Sequence, residues 1–248
     1  MERPLLYMLL LVLPAALILS ALIWHSYKYH GGRVTTLYFI YGALYYIGRE
    51  NLNAMTVHYD GKPQYFFNNP LITIGKAPLP AIIGWFITGL LGWFLAERIL
   101  KGHPRLENRL FPTMLLTGVF VSSMSLAVEG TGIHLGWWSW PALQIYYAEG
   151  PFTEYLLDCP FVALQGWFLT VLTFMVPFCL VECSAFRRKG AARYLWFLIV
   201  PANAFLLSYV FSTARFILVG LLVFLALFNR LEFDYSPGAL RNIKKAGA

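Results

Sequence analysis

Charge is scarce in this chain: Asp, Glu, Lys and Arg supply 12% of its 248 residues, about half the share in an ordinary soluble domain. That composition excludes a highly charged disordered chain. Cysteine is equally sparse. Cys159, Cys179 and Cys183 form neither a disulfide framework nor a zinc pattern. The last two share a helix face, where they read as small packing residues. His58 and His134 belong to no His-x-x-x-His run, and a metal centre needs three or four ligands, so no metal is expected. A Gly-rich phosphate loop, a dinucleotide fingerprint and Asp-rich magnesium motifs are all missing, so no cofactor is expected either.

Apolar residues are abundant. They make up 58% of the chain, with 17% aromatic and a mean hydropathy of +0.60, and they fall in blocks of membrane-spanning length. The blocks predict an all-α polytopic membrane protein, one transmembrane domain over residues 1–248. Seven helices are expected, at 4–24, 34–49, 78–97, 112–128, 162–182, 194–209 and 213–228. The first is too long for a typical signal core. The stretch 194–228 is long enough for two short crossings, or for one helix kinked at Pro201.

The net charge of +7 raises the question of nucleic acid, but its placement points to a membrane. Most basic residues fall in four connections: Lys28 and Arg33; Arg98 to Arg109; Arg187 to Arg193; and the tail from Arg230. In a seven-span topology all four lie on one side, which predicts an outer N-terminus, a cytoplasmic C-terminus and a multi-pass cell-membrane location. Anionic lipid headgroups would suffice as partners of that basic face, with no nucleic acid. Oligomeric state is not legible; Gly84, Gly89 and Gly92 suit close helix packing within or between chains.

The long connections 50–77 and 129–161 lie on the other side and resemble each other. Each follows a helix-end glutamate, Glu50 or Glu129, and leads to Pro, five residues and Gly-Trp-Phe: PLPAIIGWF from Pro78 and PFVALQGWF from Pro160. The pattern suggests a parallel internal repeat with units 34–97 and 112–182. Two-fold placement would bring Glu50 and Glu129 to matching depths of one cavity. Burial raises the pKa of a carboxyl group and makes it a usable acid. Against that stands a solvated helix end for Glu50, beside Arg49. Asp158 suits either a second acid or a helix cap. Trp137, Trp138 and Trp140, with Tyr146 and Tyr147, suit either an interfacial belt or a cation-stabilising site. Trp85 and Trp167 read as belt residues.

These features resemble the carotenoid biosynthesis membrane-protein family, which includes carotenoid tertiary-carbon hydratases. The likeness rests on Glu50, on Tyr59 in the first loop, on G-W-W-S-W at 136–140, on Tyr146 and Tyr147 with Gly150 and Pro151, and on Gly166-Trp167. It departs at Glu129, where the family pattern leads us to expect aspartate, and in the longer loop 149–158. The resemblance implies an enzyme that adds water across a terminal C=C bond of a long, membrane-embedded isoprenoid or carotenoid. Glu129 would donate the proton, and Glu50 or Asp158 would accept one from water. Trp137, Trp138, Trp140, Tyr146, Tyr147, Tyr59 and His134 would line the substrate. A membrane terpene or carotenoid cyclase would use the same acids, and a non-enzymatic isoprenoid or pigment carrier the same cavity. An ion-coupled transporter has less support, because the spans hold few ionisable residues.

Overall fold

The computed structural model describes residues 10, 12–55, 66–68, 72–103, 110–139, 155–156, 159–179 and 182. They form five helices and three pairs of two-residue strands. The helices are α1 (Leu13–His30), α2 (Gly32–Met55), α3 (Leu79–Leu100), α4 (Leu110–His134) and α5 (Phe161–Phe178). The strands are β1 (Phe66–Phe67), β2 (Thr73–Ile74), β3 (Ala77–Pro78), β4 (Trp138–Ser139), β5 (Tyr155–Leu156) and β6 (Cys159–Pro160). All three pairs, β1 with β4, β2 with β3 and β5 with β6, are antiparallel.

Local chemistry sets the boundaries. Proline stands in the first turn of α1 and of α3, where its missing N–H costs no helical hydrogen bond. Gly31 ends α1 at φ 86° and donates its N–H to Tyr27 O at 3.1 Å. This left-handed corner feeds the chain directly into α2. Gly136 does the same beyond α4 at φ 68°. The next residue, Trp137, donates its N–H to Gly132 O at 2.8 Å, which folds the chain back along the helix it has just left.

An aromatic core joins α2, α3, α4 and α5. Tyr38, Tyr45, Tyr46, Trp93, Phe174 and Phe178 are among its largest fully buried side chains. Glycines admit the close approaches. A Cβ on Gly89 would meet the Tyr38 hydroxyl at 2.6 Å, and one on Gly92 would meet Val121 at 2.8 Å and Thr117 O at 3.1 Å. Both therefore pack within the chain, whereas Gly84 has nothing within 4 Å. Helix α1 is different. Its only buried residues are Ser26 and His30, with Leu19 and Leu22 packed partly against the core. Leu13, Leu17, Ile18 and Trp24 are exposed.

The seven-span expectation is corrected by this arrangement. Among the described residues, two helices are long and apolar enough to cross a membrane, Leu79–Leu100 and Leu110–His134. The predicted spans 194–209 and 213–228 lie outside the described residues. In the described region, polar residues interrupt α1 and α2: the last turns of α1 carry His25, Ser26, Lys28 and His30, and α2 carries Arg33, Arg49, Glu50 and Asn53. The apolar part of α5, Ala163–Val176, is short. Half of the qualifying window of α3 and 44% of that of α4 are buried inside the molecule, as core helices are. What the structure supports is a compact five-helix arrangement. The transmembrane topology and the multi-pass cell-membrane location rested on the span count and are corrected with it.

Gly92→Ala should destabilise the protein by about 1–3 kcal/mol through overpacking. Gly84→Ala, in open space within the same helix, should leave stability unchanged or raise it by up to about 1 kcal/mol. Urea denaturation of the two variants checks this contrast.

Candidate functional site

Glu50 lies late in α2 and is 3% exposed. A carboxylate there must be compensated. Its Oε1 accepts hydrogen bonds from Arg49 Nη1 at 2.5 Å and from the Trp85 indole Nε1 at 2.8 Å. The Arg49 guanidinium lies 4.9 Å from the Trp85 ring centroid, and Tyr46 stacks on the same indole at 5.7 Å and 10°. Asn51 anchors the hairpin that leads into α3. Its Nδ2 donates to Ile47 O and Ile74 O, and its Oδ1 accepts from Lys76 N at 2.7 Å. Gly75, at φ 66°, passes so close to Asn51 that a Cβ would fall 2.3 Å from Oδ1.

Glu129 occupies the corresponding place late in α4 and is 5% exposed. Its Oε2 accepts from Trp138 Nε1 at 2.7 Å and its Oε1 from Trp167 Nε1 at 2.8 Å. Trp138 reaches it because the Gly136 corner turns the chain back and because residue 132 is glycine. A Cβ on Gly132 would lie 2.0 Å from the Trp138 ring. Strand β4 then pairs with β1, setting Phe67 opposite Trp138, and Asn68 Nδ2 donates to Gly136 O at 2.8 Å. Burial, and secondarily the Glu129 charge, push the nearby Cys159 thiol up to about 12, so it stays a neutral thiol.

The two carboxylates are joined through their indoles. Trp85 and Trp167 are in ring contact, with centroids 4.7 Å apart. The surrounding parts recur at one offset. Ile74 pairs with Ala77 and Leu156 with Cys159; Pro78 precedes α3 and Pro160 precedes α5. Thr88 Oγ1 donates to Gly84 O and Thr170 Oγ1 to Gly166 O. Each Gly-Trp-Phe indole donates to the glutamate that ends the preceding long helix. The hydrogen bonds described above differ in kind: Glu50 receives them from a guanidinium and an indole, and Glu129 from indoles of two elements.

Of the expected site residues, the structure brings Glu50, Glu129 and Trp138 into one network. Trp137 lies beside Trp138, ring centroids 6.2 Å apart. His134 is exposed at the end of α4. Tyr59, Trp140, Tyr146, Tyr147 and Asp158 lie outside the described residues. Trp85 and Trp167, read as belt residues, are donors to the acids instead. The repeated Gly-Trp-Phe was their signal, since a buried indole N–H needs an acceptor.

The site defines a class, a helical protein with two hairpin-and-helix units around buried, indole-bound carboxylates. No family model matches the chain, and no curated protein and no solved structure matches it either. Among the described residues no group of three or more His, Cys, Asp or Glu side chains could hold a metal ion.

The function expected from the sequence is corrected here. A carotenoid- or isoprenoid-modifying membrane enzyme, like the cyclase and carrier alternatives, required a multi-span cavity around a membrane-embedded substrate. The five-helix arrangement does not support that architecture. The anionic-lipid partnership depended on the same topology and is corrected too. Both Glu129 oxygens accept indole N–H bonds, an arrangement that suits the ionised group.

Trp167→Phe removes one of those bonds and should cost about 1.5–3 kcal/mol, the range for a hydrogen bond to a charged group. Combined with Glu129→Gln, it should be non-additive by about 0.5–3 kcal/mol. A double-mutant cycle by urea denaturation measures both quantities.

Proposed function

We propose that the protein is an enzyme in which the Glu129 carboxylate acts as an acid–base group on a small, largely apolar substrate. One observation carries this reading: a buried carboxylate is held by two neutral indole donors from separate elements. Neutral donors orient a carboxylate while leaving it more basic than a guanidinium partner would. Glu50, paired with Arg49, provides the contrast, and two like groups in unlike surroundings are the usual basis for dividing acid–base roles. Trp138, Trp167 and Phe67 supply the aromatic surroundings that favour an apolar substrate. The paired Glu–Trp contacts also support the reading of 34–97 and 112–182 as duplicated units, with Glu129 specialised and Glu50 retained as a fixed charge.

The test is proton exchange. Purified protein is incubated in deuterium oxide with a panel of small apolar ketones, and deuterium uptake at carbon is followed by mass spectrometry. The expected result is uptake above buffer for at least one ketone, reduced about 10²- to 10⁴-fold in Glu129→Gln. Circular dichroism melting shows whether that variant remains folded, and Glu129→Asp serves as a second variant. Uptake that never exceeds buffer, or that is equal in wild type and in a folded variant, would make Glu129 a structural acceptor.

A further inference from the structure

Trp138, Trp167 and Trp85 all donate their indole protons to carboxylates. Trp138 Nε1 lies 2.7 Å from Glu129 Oε2, Trp167 Nε1 2.8 Å from Glu129 Oε1, and Trp85 Nε1 2.8 Å from Glu50 Oε1. The Trp85 and Trp167 rings touch, with centroids 4.7 Å apart. Trp138 and Trp167 are half-buried, whereas Trp85 is buried. Indoles are among the side chains most readily oxidised by one electron, and a ring that has lost an electron becomes acidic at Nε1. Such an oxidation is helped by a base already bonded to that nitrogen. Glu129 supplies one to two indoles at once.

Charge decides where the oxidised ring rests. Electron loss alone would leave a positive ring against a buried carboxylate. Moving the Nε1 proton across the hydrogen bond converts that pair into a neutral radical and a neutral acid, which removes two charges from a site where burial penalises both. Trp85 is less favoured. The Arg49 guanidinium, 4.9 Å from its ring centroid, opposes a second positive charge there.

Beyond Trp85 the core does not take over the oxidation. Tyr46 stacks on Trp85, yet its hydroxyl is buried without a hydrogen-bond partner, and the polar group that shares its place at Gly89 is another phenol, Tyr38. No base is there to take the proton that an oxidised phenol releases. Burial first, and then the neighbouring phenols, push the Tyr46 hydroxyl well above its ordinary range. Cys159 stays a neutral thiol and so lacks the easily oxidised thiolate.

We propose that Trp138 and Trp167, joined through Glu129, form a one-electron redox site: a small oxidising radical from solvent takes an electron from one indole, whose Nε1 proton passes to the Glu129 oxygen it already meets. The oxidant becomes its anion, the indole a neutral indolyl radical, and Glu129 a carboxylic acid. A one-electron reductant reverses both transfers. The site requires only the Glu129 hydrogen bonds, not turnover of a ketone.

The test uses the full chain in phosphate buffer with the azide radical, which is generated by pulse radiolysis and becomes azide as it oxidises indole. Visible absorption follows the indolyl radical, and time-resolved infrared follows the C=O stretch of a protonated carboxyl group. In wild type a carboxylic-acid band should rise in step with part of the neutral radical. Glu129→Gln should lose that band and leave a long-lived indole radical cation in its place. Trp138→Phe combined with Trp167→Phe keeps the carboxylate and should lose the band too, whereas Glu50→Gln should retain it. Circular dichroism shows which variants are folded. No acid band in wild type, an undiminished band in either of the first two variants when folded, or its loss in folded Glu50→Gln would overturn the proposal. No ketone is present, so the outcome is independent of the deuterium-uptake result.

Discussion

The structure depends on one constraint: two carboxylates, Glu50 and Glu129, are buried at the ends of long helices and must be met by donors. An uncompensated buried charge would cost more than the whole stability margin of a domain this size. Indole N–H groups supply the answer for both. Each indole sits nearly two turns inside the next helix of its unit, so the hydrogen bond fixes how that helix returns along its predecessor. Trp85 against Trp167 then fixes how the two units meet. Asn51 against Gly75 and Trp138 over Gly132 hold the connections beside this pairing.

Much of this arrangement was legible in the sequence. Glu50 and Glu129 at helix ends, the Pro-x₅-Gly-Trp-Phe pattern and the aromatic segment after Gly136 all belong to the network. The direction in which Trp85 and Trp167 face was not legible. A tryptophan at the edge of an apolar helix looks the same whether it meets lipid or an internal carboxylate. The span count failed for a similar reason. Hydropathy counts apolar residues without showing which surface they cover, and here Tyr38, Tyr45, Tyr46 and Trp93 cover one another. The neighbours of Glu129 were only partly legible: the aromatic segment after it was plain in the chain, but that indoles from two separate elements meet its two oxygens was not.

The His30–Glu97 contact could not be read from the chain because its partners lie 67 residues apart and meet only where their two helices pack. That leaves two polar centres at opposite ends of α3, built on different logic. At one end indole donors hold two carboxylates in place. At the other, His30 meets Glu97 while Ser26 meets Thr35. The first lies at the join of the two units, and the second ties α1 to α2 and α3.

The central claim, that one carboxylate holds two indoles from separate elements, is tested most directly by proton–nitrogen NMR of the tryptophan side chains in wild type and Glu129→Gln. The account predicts that the Nε1–H signals of Trp138 and Trp167 are protected from solvent and shift together in the variant, while the chemically similar Trp85 signal, bound to Glu50, moves least. Movement of only one of the pair, or free solvent exchange of all three in the wild type, would contradict it.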